Sequence, residues 1–318
     1  MLKSYAAYNT EEDIRKKSSS GGIFSLLANE IIERSGAVYG VSMSDDCYSA
    51  EFIRVTSKDA LARLRSSKYF QAKVGRTFLN VKQDLETGMQ VLFSGTGCQI
   101  NGLKCFLGKE YDNLICVDVV CHGVPSPDLW KRYALYQEAK YGKLTFVNFR
   151  CKDDGWKNFG LKENALLIPK SKDAFLQMFL SNYCLRPSCY ECRAKQMKLA
   201  DLSIADLWGI EQLAPDFDDG HGCSWVIARS LKGEELLKSI ESKMVIKEIP
   251  YEKVLVFNSP ESKSVGRPVE RENFFINLNT KSFDWMIKKY GKDSLIVRAK
   301  RKVKKIVKKL CVRGGGKK

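Results

Sequence analysis

The sequence predicts an α/β fold, and three observations carry that expectation. Short apolar runs have strand length, glycine-containing turns follow them, and apolar residues at helical spacing come directly after the turns. In order, Ser18-Ser-Ser-Gly-Gly22 offers serine capping residues to a helix whose face is Ile23, Phe24, Leu26, Leu27, Ile31 and Ile32, ending at Gly36. Ala37-Val-Tyr-Gly-Val-Ser42 reads as a strand. Arg65-Ser-Ser-Lys-Tyr-Phe70 leads into a helix with Phe78, Val81 and Leu85 that stops at Gly88. Gln90-Val-Leu-Phe93 is a short buried strand ending at Ser94-Gly-Thr-Gly-Cys98, and helical spacing resumes with Ile100, Leu103 and Phe106. Leu114 to Val120 is another buried strand, with a loop through Pro125 and a helix starting near Ser126. The second half adds strands over 144–149, 202–208 and 224–228 and helices over 174–180 and 232–240. Repeated strand, glycine loop and helix place sites at the strand ends of an α/β sheet. There is no internal repeat, and no long linker before about residue 260.

The 318 residues allow one large domain or two ordinary ones. Apolar content of 44% and charged content of 28% are those of a soluble globular protein. No apolar run approaches the roughly 20 residues that span a bilayer. The opening Met-Leu-Lys-Ser-Tyr lacks a hydrophobic signal core, so a cytoplasmic protein is expected. The net charge of +16 is uneven: from Lys281 onward fifteen Lys and Arg stand against Asp284 and Asp293, which leaves the body close to neutral. Within that tail, Val303, Ile306, Val307 and Leu310 keep helical spacing among lysines. Such a stripe suits peripheral contact with an anionic membrane at its inner face, and a frayed, solvated terminus is the bland alternative. Nucleic acid is not expected, because the charge is confined to the terminus and no aromatic stacking pattern accompanies it.

Eleven cysteines in a reducing compartment are better explained as ligands, reactive thiols or core residues than as disulfides. Cys189-Tyr-Glu-Cys192 is a C-x-x-C pair that offers two thiolates to one centre. Cys98 and Cys121, each ending a strand-like run, can close a four-thiolate site for zinc or an iron–sulfur cluster. Cys184 lies close enough in sequence to be a reserve ligand. Cys105 and Cys116 read as small core hydrophobes, and Cys47, Cys151, Cys223 and Cys311 as buried thiols without a cysteine partner.

Ser18-Ser-Ser-Gly-Gly22 and Ser94-Gly-Thr-Gly97 can cradle phosphate on backbone N–H groups and hydroxyls, or simply turn the chain. Neither matches a Walker or G-x-G-x-x-G pattern, so neither ATP nor a standard Rossmann site is indicated. His122, after a buried strand, can bond a cofactor, move a proton near neutral pH or serve as a structural loop residue; His221 between two glycines reads as a turn residue. Asp201 and Asp206, near Trp208, read as an acid or base or, the favoured reading, as residues that cap and bridge the cysteine loop.

Six motifs in order, Ser18-Ser-Ser-Gly-Gly-Ile-Phe-Ser25, Ser67-Lys-Tyr69, Val91-Leu-Phe-Ser-Gly-Thr-Gly-Cys-Gln-Ile100, Val120-Cys-His-Gly-Val-Pro-Ser-Pro127, Leu185-Arg-Pro-Ser-Cys-Tyr-Glu-Cys192 and Ala205-Asp-Leu-Trp-Gly209, resemble the coenzyme F-420 hydrogenase/dehydrogenase beta-subunit family. The resemblance covers roughly residues 5–250. It implies a mixed-sheet flavin-binding fold with an integrated cysteine-rich iron–sulfur segment, FAD and a 4Fe-4S cluster as cofactors, and electron transfer to or from a hydride-exchanging substrate. Ser19, Ser20, Gly21, Gly22, Ser67, Lys68, Tyr69, Ser94, Gly95, Thr96 and Gln99 would then line the flavin. Cys98, Cys121, Cys189 and Cys192 would hold the cluster, and His122 or Lys68 would assist proton transfer or hold the reduced flavin. The chain would divide into residues 1–93 and 94–260, two parts of the flavin-binding region with the cysteine loop in the second, and a basic, partly helical tail over 261–318.

Two departures stand out. Many relatives begin with a ferredoxin-like module, whereas no cysteine precedes Cys47, so the expectation is either a separate ferredoxin-like partner as electron donor or acceptor or a loss of redox activity. Relatives commonly carry proline where Gly97 stands, and glycine would loosen the turn that aims Cys98. Bacterial relatives with basic tails accompany surface-polysaccharide enzymes, which makes a glycan precursor one candidate among small-molecule substrates. The competing expectations are a zinc-stapled binding or scaffold protein using Cys184, Cys189, Cys192 and one further thiolate, and a nucleotide-sugar transferase using the Ser/Gly loops.

Overall fold

The two most apolar runs become adjacent strands buried on both faces. In the computed structural model, which describes residues 2–292, the strands are β1 (Lys3–Asn9), β2 (Ala37–Met43), β3 (Ala50–Val55), β4 (Val91–Gly95), β5 (Leu114–Val119), β6 (Val147–Cys151), β7 (Gly160–Glu163), β8 (Leu166–Pro169), β9 (Leu202–Asp206), β10 (Ser224–Ala228) and β11 (Met244–Glu248). Eight form one mixed sheet in the order β11-β1-β10-β9-β5-β4-β2-β3. Its centre, β2-β4-β5-β9, is parallel, with Val91 opposite Leu114 and Phe93 opposite Cys116; the flanking pairings are antiparallel. The other three strands form a small antiparallel sheet, β6-β7-β8.

Alternation along β4 and β5 explains their continuous apolar sequence. Val91, Phe93, Leu114 and Cys116 belong to the core on one face, and Leu92, Ile115 and Val117 to the core on the other. The first core is aromatic: Phe52 stacks on Phe93 with centroids 5.0 Å apart, and Trp130, fully buried on the helix Pro127–Tyr141, packs at 4.6 Å from Phe149. On the opposite face lie the helices Ile23–Glu33 and Leu231–Ser239. Each fully buried Leu, Ile or Phe contributes roughly 1.5–3 kcal/mol through area removed from water.

Several expectations are corrected. The serines before Ile23 do not cap the helix; Gly22, at φ +83°, is the N-cap, and Ser18 Oγ instead donates to Ile14 O. The strands β1, β3, β7, β8 and β11 were not expected. Cys105 is exposed rather than core, and Phe106 beside it is 49% exposed, because the helix Gly97–Leu107 turns Ile100, Leu103 and Leu107 inward. Cys47, Cys116, Cys151 and Cys223 are buried as expected. Residue 261 is not a boundary: the helices Arg271–Thr280 and Phe283–Tyr290 bury Phe274, Leu278, Met286 and Tyr290 in the aromatic core. Residues 1–93 and 94–260 interleave in one sheet, β1 lying between β10 and β11. The basic stripe 298–310 and Cys311 lie outside the described residues. Among those described, no helix is long and apolar enough to cross a membrane.

Candidate cofactor site

Parallel strands point the same way, so the loops after them gather at one sheet edge. There the chain encloses a cleft of about 770 Å³, within the range that holds a large organic ligand. Ser94, Gly95, Thr96 and Gln99 reach it from the end of β4, Val119 to Val124 from the end of β5, and Ile204 to Asp206 from β9. Ser18, Ser19, Ser20 and Gly22 enter from the loop before Ile23, and Ser66 to Phe70 from the segment after β3. Two helix N-termini, at Ile23 and Gly97, open onto it and offer backbone N–H groups suited to anionic or polar ligand atoms. Thr96 N–H is already engaged, donating to Gln99 Oε1 at 2.9 Å.

Gly21 is the one expected flavin-loop residue that does not line the cleft. A Cβ there would meet Ala7 O at 2.5 Å and Ser224 N at 2.8 Å, so glycine lets the loop press onto β1 and β10. The loop is held by other groups: Ser20 Oγ donates to Cys223 O, Gly21 N–H to Ser224 Oγ, and Ser67 N–H to Ser19 Oγ. Behind it the buried Lys152 ammonium donates to Arg15 O, Ser20 O and His221 O at 2.7–2.9 Å. His221 is exposed, in a turn between Gly220 and Gly222, both at positive φ.

Arg150 was not foreseen as a site residue. It reaches the cleft from β6, only 4% exposed, with Nη2 donating to Asp206 Oδ1 at 2.7 Å and Ser19 O at 3.2 Å. Its guanidinium lies over Phe159, and its buried Nε has no hydrogen-bond partner. A donor left without a partner on a ligand-sized cleft suits a polar ligand atom. Trp208, stacked on Trp156 at 5.1 Å, and Phe179 add aromatic walls. No sequence signal marks a buried arginine inside an apolar strand; Asp206 and Trp208 sat in a recognised motif and could have been assigned.

Lys68 lines the cleft but bonds backward, Nζ donating to Arg65 O at 2.7 Å and Arg63 O at 3.1 Å, and burial lowers its pKa to about 7. His122 Nε2 lies 2.6 Å from Asn182 Oδ1 with its ring edge-on to Phe179; burial pushes its pKa down. A neutral imidazole is therefore favoured at pH 7.

Cys98, Cys121, Cys189 and Cys192 line a second, small cavity together with Asp118, Lys195 and Lys198. Val124 N–H points to Cys189 Sγ at 3.4 Å, and Thr96 Oγ1 lies 3.2 Å from Cys98 Sγ. Burial raises the Cys189 thiol and pushes Cys121 up to about 12, so thiolates here call for a bound cation. Among the described residues no three His, Cys, Asp or Glu side chains converge as a single ion would require. One zinc holds its sulfurs at about 2.3 Å from a common centre, whereas a four-iron cluster takes one thiolate on each iron and spreads them. Cys184, which the zinc staple needs, is fully buried in the aromatic core and does not line the cavity. The carboxylates are not bridges to the cysteine loop: Asp201 accepts Cys116 N–H and Ser230 Oγ–H, and Asp206 accepts from Arg150 and Trp156 Nε1. Thr96, Cys98 and Cys121 to Val124 line both cavities, so the two sites share a wall.

A ligand-sized cleft at parallel strand ends with a thiol-lined cavity against it defines an α/β protein with a candidate cofactor site. The chain belongs to the coenzyme F420 hydrogenase/dehydrogenase beta-subunit family: residues 4–77 match the family model for the amino-terminal region of the "Coenzyme F420 hydrogenase/dehydrogenase, beta subunit", and residues 88–254 match the model for its carboxy-terminal region. The family is one of oxidoreductase subunits. Among solved structures, a chain of the F420-reducing [NiFe] hydrogenase complex from Methanosarcina barkeri shares the fold, with TM-score 0.54 and 16% identity over 77% of this chain and 81% of that one. No curated protein sequence matches the chain.

Proposed function

We propose that this protein is a flavin- and iron–sulfur-dependent oxidoreductase that passes electrons between a ferredoxin-like partner and a hydride-exchanging substrate. The observation that carries the reading is the wall of Thr96, Cys98 and Cys121 to Val124 common to the large cleft and the thiol cavity. A flavin bound in the cleft would exchange electron pairs as hydride, and a cluster on the four cysteines would exchange them singly.

FAD fits the cleft by volume and by lining. The Ser18–Gly22 loop, Ser67 and the helix start at Ile23 offer donors to phosphate, while Tyr69, Phe179 and Trp208 offer aromatic surface. Arg150, buried at the cleft wall, brings a positive charge held by Asp206 to the ligand's side of the site. The loop donors orient the cofactor, the aromatic walls exclude water, and His122, held by Asn182, keeps a ring nitrogen next to the shared wall. Lys68, held near neutrality, can take or give a proton at Nζ. Arg186 and Arg193, both exposed, flank the Cys189–Cys192 loop, with Glu191 the acidic exception, and suit an acidic electron-transfer partner.

Anaerobic purification with flavin, iron, sulfide and zinc quantified on one sample tests the reading. About one flavin with four irons and four sulfides per chain is expected. Zinc without flavin would overturn it and leave the metal-stapled binding protein.

A further inference from the structure

Beneath the thiol cavity lies a buried set of charges with no part in the reading above. Asp118, near the end of β5, is 2% exposed, and its Oδ1 has no hydrogen-bond partner. Oδ2 faces Lys198 Nζ at 3.6 Å and Ser203 Oγ at 3.4 Å. Lys198 also bonds Glu261 Oε2 at 3.0 Å; Glu261, 1% exposed, pairs with Arg229, whose Nε donates to Ser203 Oγ at 2.7 Å. Two carboxylates and two cations thus form one closed group, and Asp118 and Lys198 are its members on the cavity wall with the four cysteines. A Cβ at Gly97 would lie 3.6 Å from Asp118 Oδ1, which sets that oxygen against the turn carrying Cys98.

A buried carboxylate with one open oxygen is costly, and here the Lys198 ammonium is the charge set against it. Charges fixed beside a redox centre in a poorly solvated site shift its potential, because reduction adds a negative charge that each of them resists or favours. Resting on the iron–sulfur reading, we propose that Asp118 is a positioning residue that holds the cluster's reduction potential low, with Lys198 as the opposing charge that limits the effect. Neither side chain is a ligand in this assignment.

The test is a redox titration of the anaerobically reconstituted full chain, followed by the spectroscopic signal of the reduced cluster at mildly alkaline pH. Asp118→Asn should keep its iron and sulfide and become easier to reduce by at least about tenfold in the one-electron equilibrium constant, about 59 mV. Lys198→Met leaves Asp118 in place and should shift the equilibrium the other way, which keeps the proposal testable if Asp118→Asn does not fold. A full cluster with an unchanged potential in Asp118→Asn, or an upward shift in Lys198→Met, would overturn it. Loss of iron in Asp118→Asn alone would also overturn it, showing a ligand or a structural prop. Wild-type protein that takes up no iron would instead sink the cluster reading itself.

Discussion

At the scale of single residues, Arg150 does what lysine cannot. Its Nη2 donates to both Asp206 Oδ1 and Ser19 O while the guanidinium plane lies 3.9 Å over Phe159, and an ammonium has no plane to lay on the ring. On the proposed flavin reading, Arg150→Lys should weaken flavin binding at least tenfold, about 1.4 kcal/mol, as measured by quenching of flavin fluorescence. Lys68 makes a prediction about pH. Burial takes its pKa from 10.5 unfolded to about 7 folded, so between those values the unfolded chain binds the extra proton and stability rises with pH. The contribution is fully present above pH 10.5 and is lost as pH falls through about 7. Urea denaturation should show that rise, and Lys68→Met should reduce it, leaving the part contributed by Lys152, whose pKa burial also lowers to about 7; equal slopes would mean that the Lys68 ammonium stays charged on its two carbonyls.

At the scale of elements, the helix Gly97–Leu107 bears on the turn that aims Cys98. Gly97 is its first residue and is not among the glycines at positive φ, so the backbone does not require glycine there. Thr96 has φ −77° and ψ 156°, the conformation required before proline, and a Cβ at Gly97 would make only ordinary contacts, 3.4 Å to Ala194 Cβ being the nearest. Gly97→Pro should raise stability by about 0.4–1 kcal/mol, seen as a higher melting temperature with unchanged iron content. The elements legible in the sequence were those with an apolar run or face opened or closed by a turn signal: β2, β4, β5, β9 and β10, β6 in part, and the helices at Ile23, Thr77, Gly97, Pro127, Ala174 and Leu231. β1 was missed because Lys3-Ser-Tyr-Ala-Ala-Tyr-Asn9 fits between two strands through small alanines rather than branched residues, a packing reason invisible locally. The site was legible where chemistry concentrates in short motifs, at the serines, Thr96, His122 and the four cysteines. It was illegible where a lone charge is imported from another layer, as with Arg150, Lys152 and Asp118.

At the scale of the whole molecule, the cleft depends on parts distant in sequence, and the sheet has no seam at residue 93. β1 pairs with β10 through Lys3 and Ala228 and with β11 through Tyr5 and Glu248. Residues 1–93 expressed alone should show no cooperative melting by circular dichroism, and deleting residues 2–9 should abolish the transition of the full chain, because it strips β11 from the sheet and uncovers Val226 and Trp225. A truncated chain that melted normally would refute this placement of β1.

That same placement bears on how the protein is made. The first strand leaves the ribosome long before β10 and β11 exist. At about 5–20 residues per second the intervening chain takes roughly 10–45 s to synthesise. Throughout that interval Tyr5, Ala6 and Ala7 lack both strands that flank them in the folded sheet, and strand-forming sequence without its partners is open to capture by another unfinished chain. Yield of the folded protein should therefore respond more to translation speed, temperature and chaperone supply than to changes in the finished core.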